Sequence, residues 1–130
     1  MPRKNKKKRG RYHRGLYVSK IAGECKFRSS WEQKYMIYLD SDPEVKSWSY
    51  EKLIIEYISN TRTKKIRKYY PDFFVEYADG TKKVIELKQK RKLEQAVVKK
   101  KASAAHSWCL NNGAAYVILT EIELKNMGLI

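Results

Sequence analysis

The stretch that decides the fold runs from residue 69 to residue 88 and reads YYPDFFVEYADGTKKVIELK. Two β-rich runs, Phe73–Tyr77 and Lys83–Lys88, flank the turn-forming residues 78–81, a pattern that predicts a β-hairpin. Pro71-Asp72 precedes the first run, and Glu86-Leu87-Lys88 ends the second. The hairpin therefore brings two carboxylates and a lysine to one end of neighbouring strands.

The length of the hairpin loop decides which side chains share a face. Residues two apart in a strand point the same way, so Glu86 and Lys88 share a face. A two-residue loop would place Asp72 opposite residue 87, on the other face. A three-residue loop over 78–80, with Gly80 in the left-handed conformation, places Asp72 opposite Glu86. We therefore predict the three-residue loop.

This set of residues suits the hydrolysis of phosphodiesters. The reaction needs an activated water and relief of charge on the phosphate, and Mg²⁺ provides both through hard oxygen ligands. We expect Asp72 and Glu86 to bind Mg²⁺, for which Mn²⁺ can substitute, with the backbone carbonyl of Leu87 as a further ligand. Lys88 would orient or deprotonate the attacking water. A solvated ladder of ion pairs, with Pro71 simply opening a strand, is the alternative reading of the same residues.

A third carboxylate, Glu32, stands at the start of a helix predicted over roughly residues 30–40. Ser29 or Ser30 caps this helix, and one face is apolar, formed by Trp31, Tyr35, Tyr38 and Leu39. Ser29-x-x-Glu32 is also a capping box, in which the glutamate bonds back to the cap residue. Spacing alone favours the cap. The alternative is that Glu32 binds a second metal ion or fixes a metal-bound water.

The remaining elements complete a single α/β domain over residues 15–130. Periodicity predicts the order α-β-β-β-α-β, a mixed sheet flanked by helices. The other predicted elements are a strand at Leu53–Ile58, a helix at 93–111, a strand at Tyr116–Thr120 and a terminal helix or turn at 121–127.

The charge of the chain points to a polyanion as its partner. The net charge is +15, and residues 1–14 hold eight Lys or Arg and no acidic residue, which predicts a flexible basic arm. Phosphate contacts by such residues supply affinity that does not depend on sequence. The candidate DNA-binding residues are Arg9, Arg11 and Arg14 in the arm, and Lys64, Lys65, Arg67, Lys68 and Lys101 in the domain.

Composition also narrows the cellular setting. No run approaches about 18 apolar residues, so we expect neither secretion by a signal peptide nor a membrane partner. The two cysteines, Cys25 and Cys109, lack metal-ligand spacing and are expected to be reduced thiols in the cytoplasm. Only two histidines are present, which leaves carboxylates as the candidate metal ligands.

Several motifs together resemble the PD-(D/E)XK nuclease superfamily, and more narrowly its TnsA-like branch. They are the stretch from Phe27 to Asp40, the segment Trp48–Tyr57, Tyr70-Pro-Asp-Phe-Phe74, Ile85-Glu-Leu-Lys88 and Ile118-Leu-Thr-Glu121. Their order and spacing are also similar to those of the head-completion nucleases of T-even-type phages. TnsA itself has glutamine at the position of Glu86, so the phage proteins are the better match.

The resemblance implies a restriction-endonuclease-like core and Mg²⁺-dependent cleavage of DNA with little sequence specificity. It makes Glu32 an active-site carboxylate and carries Asp72, Glu86 and Lys88 over directly as catalytic residues. It further implies action on phage DNA during head completion or packaging, in the cytoplasm of an infected bacterium or within the virion. The resemblance also allows two kinds of protein partner: phage head or packaging proteins, and a second copy of this chain.

Two other functions stay open from the sequence. The chain could be a non-enzymatic DNA-binding or virion structural protein that retains the nuclease fold. It could also be a resolvase of the Holliday-junction type, which would need a dimer with two sites.

Overall fold

The computed structural model describes residues 14–130, and within them the chain forms eight strands and three helices. In chain order the elements are β1 (Gly15–Ser19), β2 (Gly23–Phe27), α1 (Ser30–Ser41), β3 (Val45–Tyr50), β4 (Ile55–Asn60), β5 (Lys65–Tyr69), β6 (Phe73–Tyr77), β7 (Lys82–Leu87), α2 (Ala96–Asn112), β8 (Ala115–Leu119) and α3 (Glu121–Asn126). A short 3₁₀ turn, Lys90–Lys92, follows β7.

The centre of the fold is a four-stranded mixed sheet in the order β3-β6-β7-β8. The pairs β3/β6 and β6/β7 are antiparallel, whereas β7 and β8 are parallel. Parallel neighbours need a crossover connection, and α2 provides it. The prediction of an α/β fold with a mixed sheet flanked by helices is confirmed, and the arrangement is consistent with a restriction-endonuclease-like core.

The β6–β7 hairpin has the predicted register. Phe73 pairs with Ile85, and the same register places Asp72 opposite Glu86. The loop spans residues 78–80, with Tyr77 N–H donating to Thr81 O at 2.8 Å and Gly80 N–H donating to Tyr77 O at 2.9 Å. Gly80 has φ +90°, a conformation that glycine adopts without steric cost. The three-residue loop is therefore confirmed.

Helix α1 packs its buried face on the sheet. That face consists of Glu32, Tyr35, Met36 and Leu39. The predicted apolar face was right for Tyr35 and Leu39, whereas Trp31 and Tyr38 lie at its edge and are only half-buried. The ring of Phe73 stands at the centre of this core, with the Tyr35 ring centroid 5.2 Å away.

Four strands were absent from the predicted order α-β-β-β-α-β. Strands β1 and β2 form a separate hairpin where a turn was expected, and β5 pairs with β4 as a third sheet. In β5 every residue except Tyr69 is exposed, so its sequence has no apolar alternation to reveal it. In β3 a register shift between Val45 and Ser47 interrupts the period of two.

A smaller core joins the β4–β5 hairpin to α2. Its buried members are Ile55, Tyr57, Tyr69 and Ala105. Helix α2 begins at Ala96 and ends with Gly113 in the left-handed conformation, within a few residues of the predicted 93–111. Val97 is exposed and Val98 is buried, so the helix turns the second of these valines towards the core.

The basic arm lies almost wholly outside the described residues. Arg9 and Arg11 belong to that part, while Arg14 is described and exposed. The arm and the single domain over 15–130 stay predictions. Within residues 14–130, no helix has the length and apolar character needed to cross a membrane. Both cysteines are buried free thiols, as predicted.

Candidate active site

Three carboxylates converge where β3, β6 and the start of α1 meet. Each of Glu32, Glu51 and Asp72 offers an oxygen, and these oxygens lie within 4.8 Å of one another. Glu32 and Asp72 are buried, and Glu51 is half-buried. Glu32 and Asp72 were predicted site residues, whereas Glu51 was not.

Asp72 is held at the mouth of the β6–β7 hairpin. Its Oδ2 accepts a hydrogen bond of 2.8 Å from the backbone N–H of Leu87, and its own N–H donates to Glu86 Oε1 at 3.3 Å. Burial and the negative charge of Glu86 raise the pKa of Asp72 well above its ordinary value. The metal-free site therefore disfavours the ionised form of Asp72, a group that has little contact with solvent.

Glu32 bonds to the backbone at the start of α1, but not to the residue that was predicted. Ser29 is the N-cap, and its Oγ accepts from Glu32 N–H at 3.2 Å. The return bond of the capping box was wrongly assigned: Glu32 Oε1 accepts from Arg28 N–H at 2.6 Å, one residue before the cap. The Tyr50 hydroxyl also donates to this oxygen, at 2.8 Å. Both bonds fix the carboxylate beside Glu51 and Asp72, so one side chain both braces the start of α1 and belongs to the candidate site.

Glu51 reaches the site because the chain turns sharply at the end of β3. Its φ is +52°, in the left-handed region that residues with a side chain rarely adopt. Its N–H donates to the backbone carbonyl of Asp72 at 3.0 Å, which holds this conformation. Burial and the charge of Glu32 raise the pKa of Glu51, although Arg28 forms an ion pair with it and opposes the shift. Backbone strain of this kind is often found at functional sites.

Glu86 and Lys88 form the second half of the site. Lys88 Nζ lies 3.4 Å from Glu86 Oε2. Glu86 Oε1 accepts a hydrogen bond of 2.7 Å from the hydroxyl of Tyr69, which also lies 2.9 Å from the Tyr116 hydroxyl. Glu86 therefore stands beside the three-carboxylate cluster, oriented by Tyr69. Leu87, between them, faces the other side and pairs with Leu119 of β8.

An open cleft exposes these groups to solvent, and cations form part of its wall. Arg28, Lys68, Lys88 and Lys101 line it together with Glu51, Asp72 and Glu86. Lys101 Nζ stands over the Tyr69 ring, 5.5 Å from its centroid. Of the predicted DNA-binding residues, the structure brings Lys68 and Lys101 to the cleft, whereas Lys64, Lys65 and Arg67 are exposed on the β4–β5 hairpin outside it.

The donor set fits a hard divalent cation. Carboxylate oxygens are the protein ligands that Mg²⁺ and Mn²⁺ prefer. Three of them converge here, and burial together with the charges of Glu86 and Glu32 raises the pKa of Asp72, although Lys88 opposes the shift. Glu32, Glu51 and Asp72 could hold such an ion, with Glu86 beside them.

Sequence reasoning missed Glu51 and Arg28 for physical reasons. Glu51 follows β3, a strand that was not predicted because its register shift interrupts the period of two. Its approach to Asp72 depends on a hydrogen bond between segments that are distant in sequence. One signal was present: Tyr50-Glu51 lies within the segment Trp48–Tyr57 on which the resemblance was based. Tyr69, adjacent to several cations in sequence, is buried at 4% exposure and bonded to Glu86, so its ring is not available for stacking on bases.

Two comparisons with known proteins bear on the family of this chain. The family described as TnsA-like endonuclease N terminal matches residues 42–121, which include Glu51, Asp72, Glu86 and Lys88. The chain is also similar to the head completion nuclease of Enterobacteria phage T4, with 29% identity over 136 residues that cover 85% of this chain and 90% of that protein. The match over residues 42–121 spans more than half of the sequence, and the chain belongs to the TnsA-like endonuclease N-terminal family.

Proposed function

We propose that this protein is a metal-dependent DNA endonuclease that hydrolyses phosphodiester bonds with little sequence specificity. The observation that carries the proposal is the convergence of Glu32, Glu51 and Asp72 beside the Glu86–Lys88 pair, in a cleft lined by cations. Membership of an endonuclease family supports the same reaction class.

Glu32, Glu51 and Asp72 would hold the cation, Mg²⁺ or Mn²⁺, and Glu86 would complete the site. The carbonyl of Leu87 stays a further candidate ligand. The bound ion would neutralise charge on the scissile phosphate and make water a better nucleophile near neutral pH. Hydrogen bonds from Arg28 N–H and Tyr50 fix Glu32, and a bond from Leu87 N–H fixes Asp72, so the ligands are positioned before any ion binds.

Lys88 is the proposed catalytic lysine, supported by its place in the cleft, with Nζ 3.4 Å from Glu86 Oε2. Its side chain is 29% exposed and its ammonium group has three N–H donors, so one donor can face Glu86 while the others face the cleft. The free donors can orient the attacking water and stabilise the charge that develops on the phosphate oxygens. Lys68 and Lys101, which line the same cleft, contact the DNA backbone, and Lys64, Lys65 and Arg67 extend this contact along the β4–β5 hairpin. Arg9, Arg11 and Arg14 of the basic arm add further phosphate contacts.

The biological setting follows from the phage relative. That protein is a head completion nuclease, and the similarity covers nearly its whole length. We infer that this chain acts on phage DNA during head completion or packaging, in the infected cell or within the virion, with head or packaging proteins as partners. Contacts to the phosphate backbone alone account for low sequence specificity.

Plasmid nicking tests the proposal. Purified wild type should convert supercoiled plasmid to nicked or linear forms with Mg²⁺ or Mn²⁺ and leave it intact in EDTA. Asp72→Ala and Lys88→Ala should each lower the rate by roughly 100-fold or more. Glu24→Gln and Lys20→Gln, exposed positions in the β1–β2 hairpin, are matched controls and should cleave like wild type. Cleavage that survives in both site variants would place the activity elsewhere.

A further inference from the structure

A second groove adjoins the carboxylate cleft on the other side of Lys88. The start of α1 forms one wall with Ser29, Ser30 and Trp31. The segment that follows β7 forms the other wall, with Lys88, Gln89, Arg91 and Lys92. Neither Trp31 nor these basic residues after Lys88 has a part in the carboxylate site.

This groove and the cleft are parts of one concave surface. Lys88 lines both of them, and it also lines a third hollow together with Lys92 and Lys101. Lys92 therefore links the groove to the hollow, and Lys101 links the hollow to the cleft. The three hollows therefore meet at Lys88, so a strand bound along them would pass this lysine.

The cations of the groove are available for a ligand. The ion pairs found among residues 14–130 involve Arg28, Lys46, Lys88 and Lys99, and none uses Arg91 or Lys92. Glu121, the acidic residue bonded to this segment, accepts from the backbone N–H of Lys90 at 2.9 Å. That bond fixes the 3₁₀ turn and leaves the neighbouring basic side chains unpaired.

Gln89 gives a second indication of a ligand in this groove. Its Oε1 is buried and has no hydrogen-bond partner among the described residues. Buried polar side-chain atoms are nearly always paired, so such an atom needs an explanation. Gln89 also lines the groove, so a turn of its side chain into the groove would free this orphaned oxygen and present the NH₂ group to a phosphate oxygen.

We propose that this groove binds the phosphate backbone of the DNA strand on the side of the scissile phosphate facing α1, with Arg91 and Lys92 as phosphate contacts. The proposal rests on the proposed function, because it assigns a substrate subsite beside the same catalytic lysine. Charge complementarity supports it: each neutralised phosphate releases condensed counterions and strengthens binding at low salt.

Duplex binding in EDTA tests the subsite without requiring cleavage. The affinity of wild type and of Arg91→Gln/Lys92→Gln for a short labelled duplex is measured by fluorescence anisotropy across a range of salt concentrations. Loss of two phosphate contacts should lower the slope of log K against log salt by about 1.8 and the affinity at 0.1 M salt by roughly 60-fold. Lys20→Gln/Lys83→Gln removes the same charge from exposed positions outside the groove and should change both quantities much less.

Two further readouts separate this subsite from a structural role. Both substituted side chains reach solvent, so the thermal unfolding temperature should stay within about 2 °C of wild type. In plasmid cleavage, KM should rise while kcat stays near the wild-type value, because the groove binds substrate without touching the reacting atoms. An unchanged salt slope, or an equal loss in the Lys20/Lys83 control, would overturn the proposal, as would a wild type that does not bind DNA. Binding without cleavage would refute the hydrolytic function and leave the subsite supported.

Discussion

Replacing Asp72 with asparagine should stabilise the metal-free protein. Asp72 is 6% exposed, and its carboxylate shares the site with those of Glu32 and Glu51. Asparagine has nearly the same volume, and its carbonyl oxygen can still accept the hydrogen bond from Leu87 N–H. Its amide can also donate to a neighbouring carboxylate, so the substitution removes a repulsion while keeping the local contacts.

The size of the effect follows from the geometry. At an effective dielectric constant of about 20, two unit charges 4.8 Å apart repel by about 3.5 kcal/mol. Asp72 has two such neighbours, so full ionisation would cost about 7 kcal/mol. The charge of Arg28 and proton uptake by the cluster offset most of this. We therefore expect a gain of about 2 kcal/mol, near the upper end for a single stabilising substitution, which corresponds to about 5–10 °C in Tm.

The gain should also depend on pH with a defined sign. Because burial and the charge of Glu86 raise the pKa of Asp72, the folded protein keeps a proton that the unfolded chain releases. Below about pH 4, the ordinary pKa of aspartate, Asp72 therefore lowers the free energy of unfolding of the wild type least. That free energy falls as the pH rises through the raised pKa. The difference in Tm between Asp72→Asn and wild type should be small at pH 4 and largest at pH 8.

Thermal unfolding by circular dichroism in EDTA, between pH 4 and pH 8, measures this difference. Glu24→Gln removes a carboxylate from an exposed position on β2 and should leave Tm nearly unchanged at every pH. Saturating Mn²⁺ should raise the Tm of wild type, because the ion binds only the folded state, and should raise that of Asp72→Asn much less. An Asp72→Asn protein that is less stable than wild type in EDTA at pH 8 would refute the electrostatic reasoning.

Three other substitutions or deletions have expected outcomes. Arg28→Gln should bind Mn²⁺ more tightly in calorimetric titration, because the ion pair with Glu51 no longer competes with the metal; weaker binding would assign Arg28 a different role. Tyr69→Phe leaves Glu86 Oε1 and the Tyr116 hydroxyl without that partner, and should lower the free energy of unfolding in urea by about 1–3 kcal/mol; an unchanged midpoint would contradict this. Deleting residues 1–14 removes eight basic residues and should flatten the salt dependence of DNA binding with no change in metal affinity; a salt slope equal to that of the full chain would exclude the arm from the DNA contacts.

The β6–β7 hairpin was predictable because its loop length and its apolar pattern are local features of the sequence. The loop residues 78–80 fix the register, and the register alone places Asp72 opposite Glu86. The mixed sheet and the α2 crossover could be predicted in the same way, since β7, α2 and β8 each have an apolar pattern of ordinary length. Family resemblance was needed only to raise Glu32 from a capping residue to a site residue.

The rest of the site depends on contacts between distant segments. Glu51 joins the cluster because its N–H meets the backbone carbonyl of Asp72, and its left-handed conformation has no signature in the sequence. Arg28 lies at the site because it forms an ion pair with Glu51. Trp31 lies in the groove because α1 turns Glu32 and Tyr35, and not Trp31, towards the core. Hydrophobic periodicity describes one helix or strand at a time, so it could not predict these contacts between distant segments.

The concentration of Mn²⁺ needed for cleavage tests the central claim most directly, since that claim joins the metal, the carboxylate cluster and the reaction. Plasmid nicking is followed against Mn²⁺ concentration for wild type, Glu51→Gln and the exposed control Glu56→Gln. The account predicts that wild type requires the ion, that Glu51→Gln needs at least about tenfold more of it for half-maximal rate, as expected when a ligand is lost, and that Glu56→Gln behaves like wild type. Cleavage by wild type in EDTA, or the same Mn²⁺ requirement for Glu51→Gln as for wild type, would contradict it.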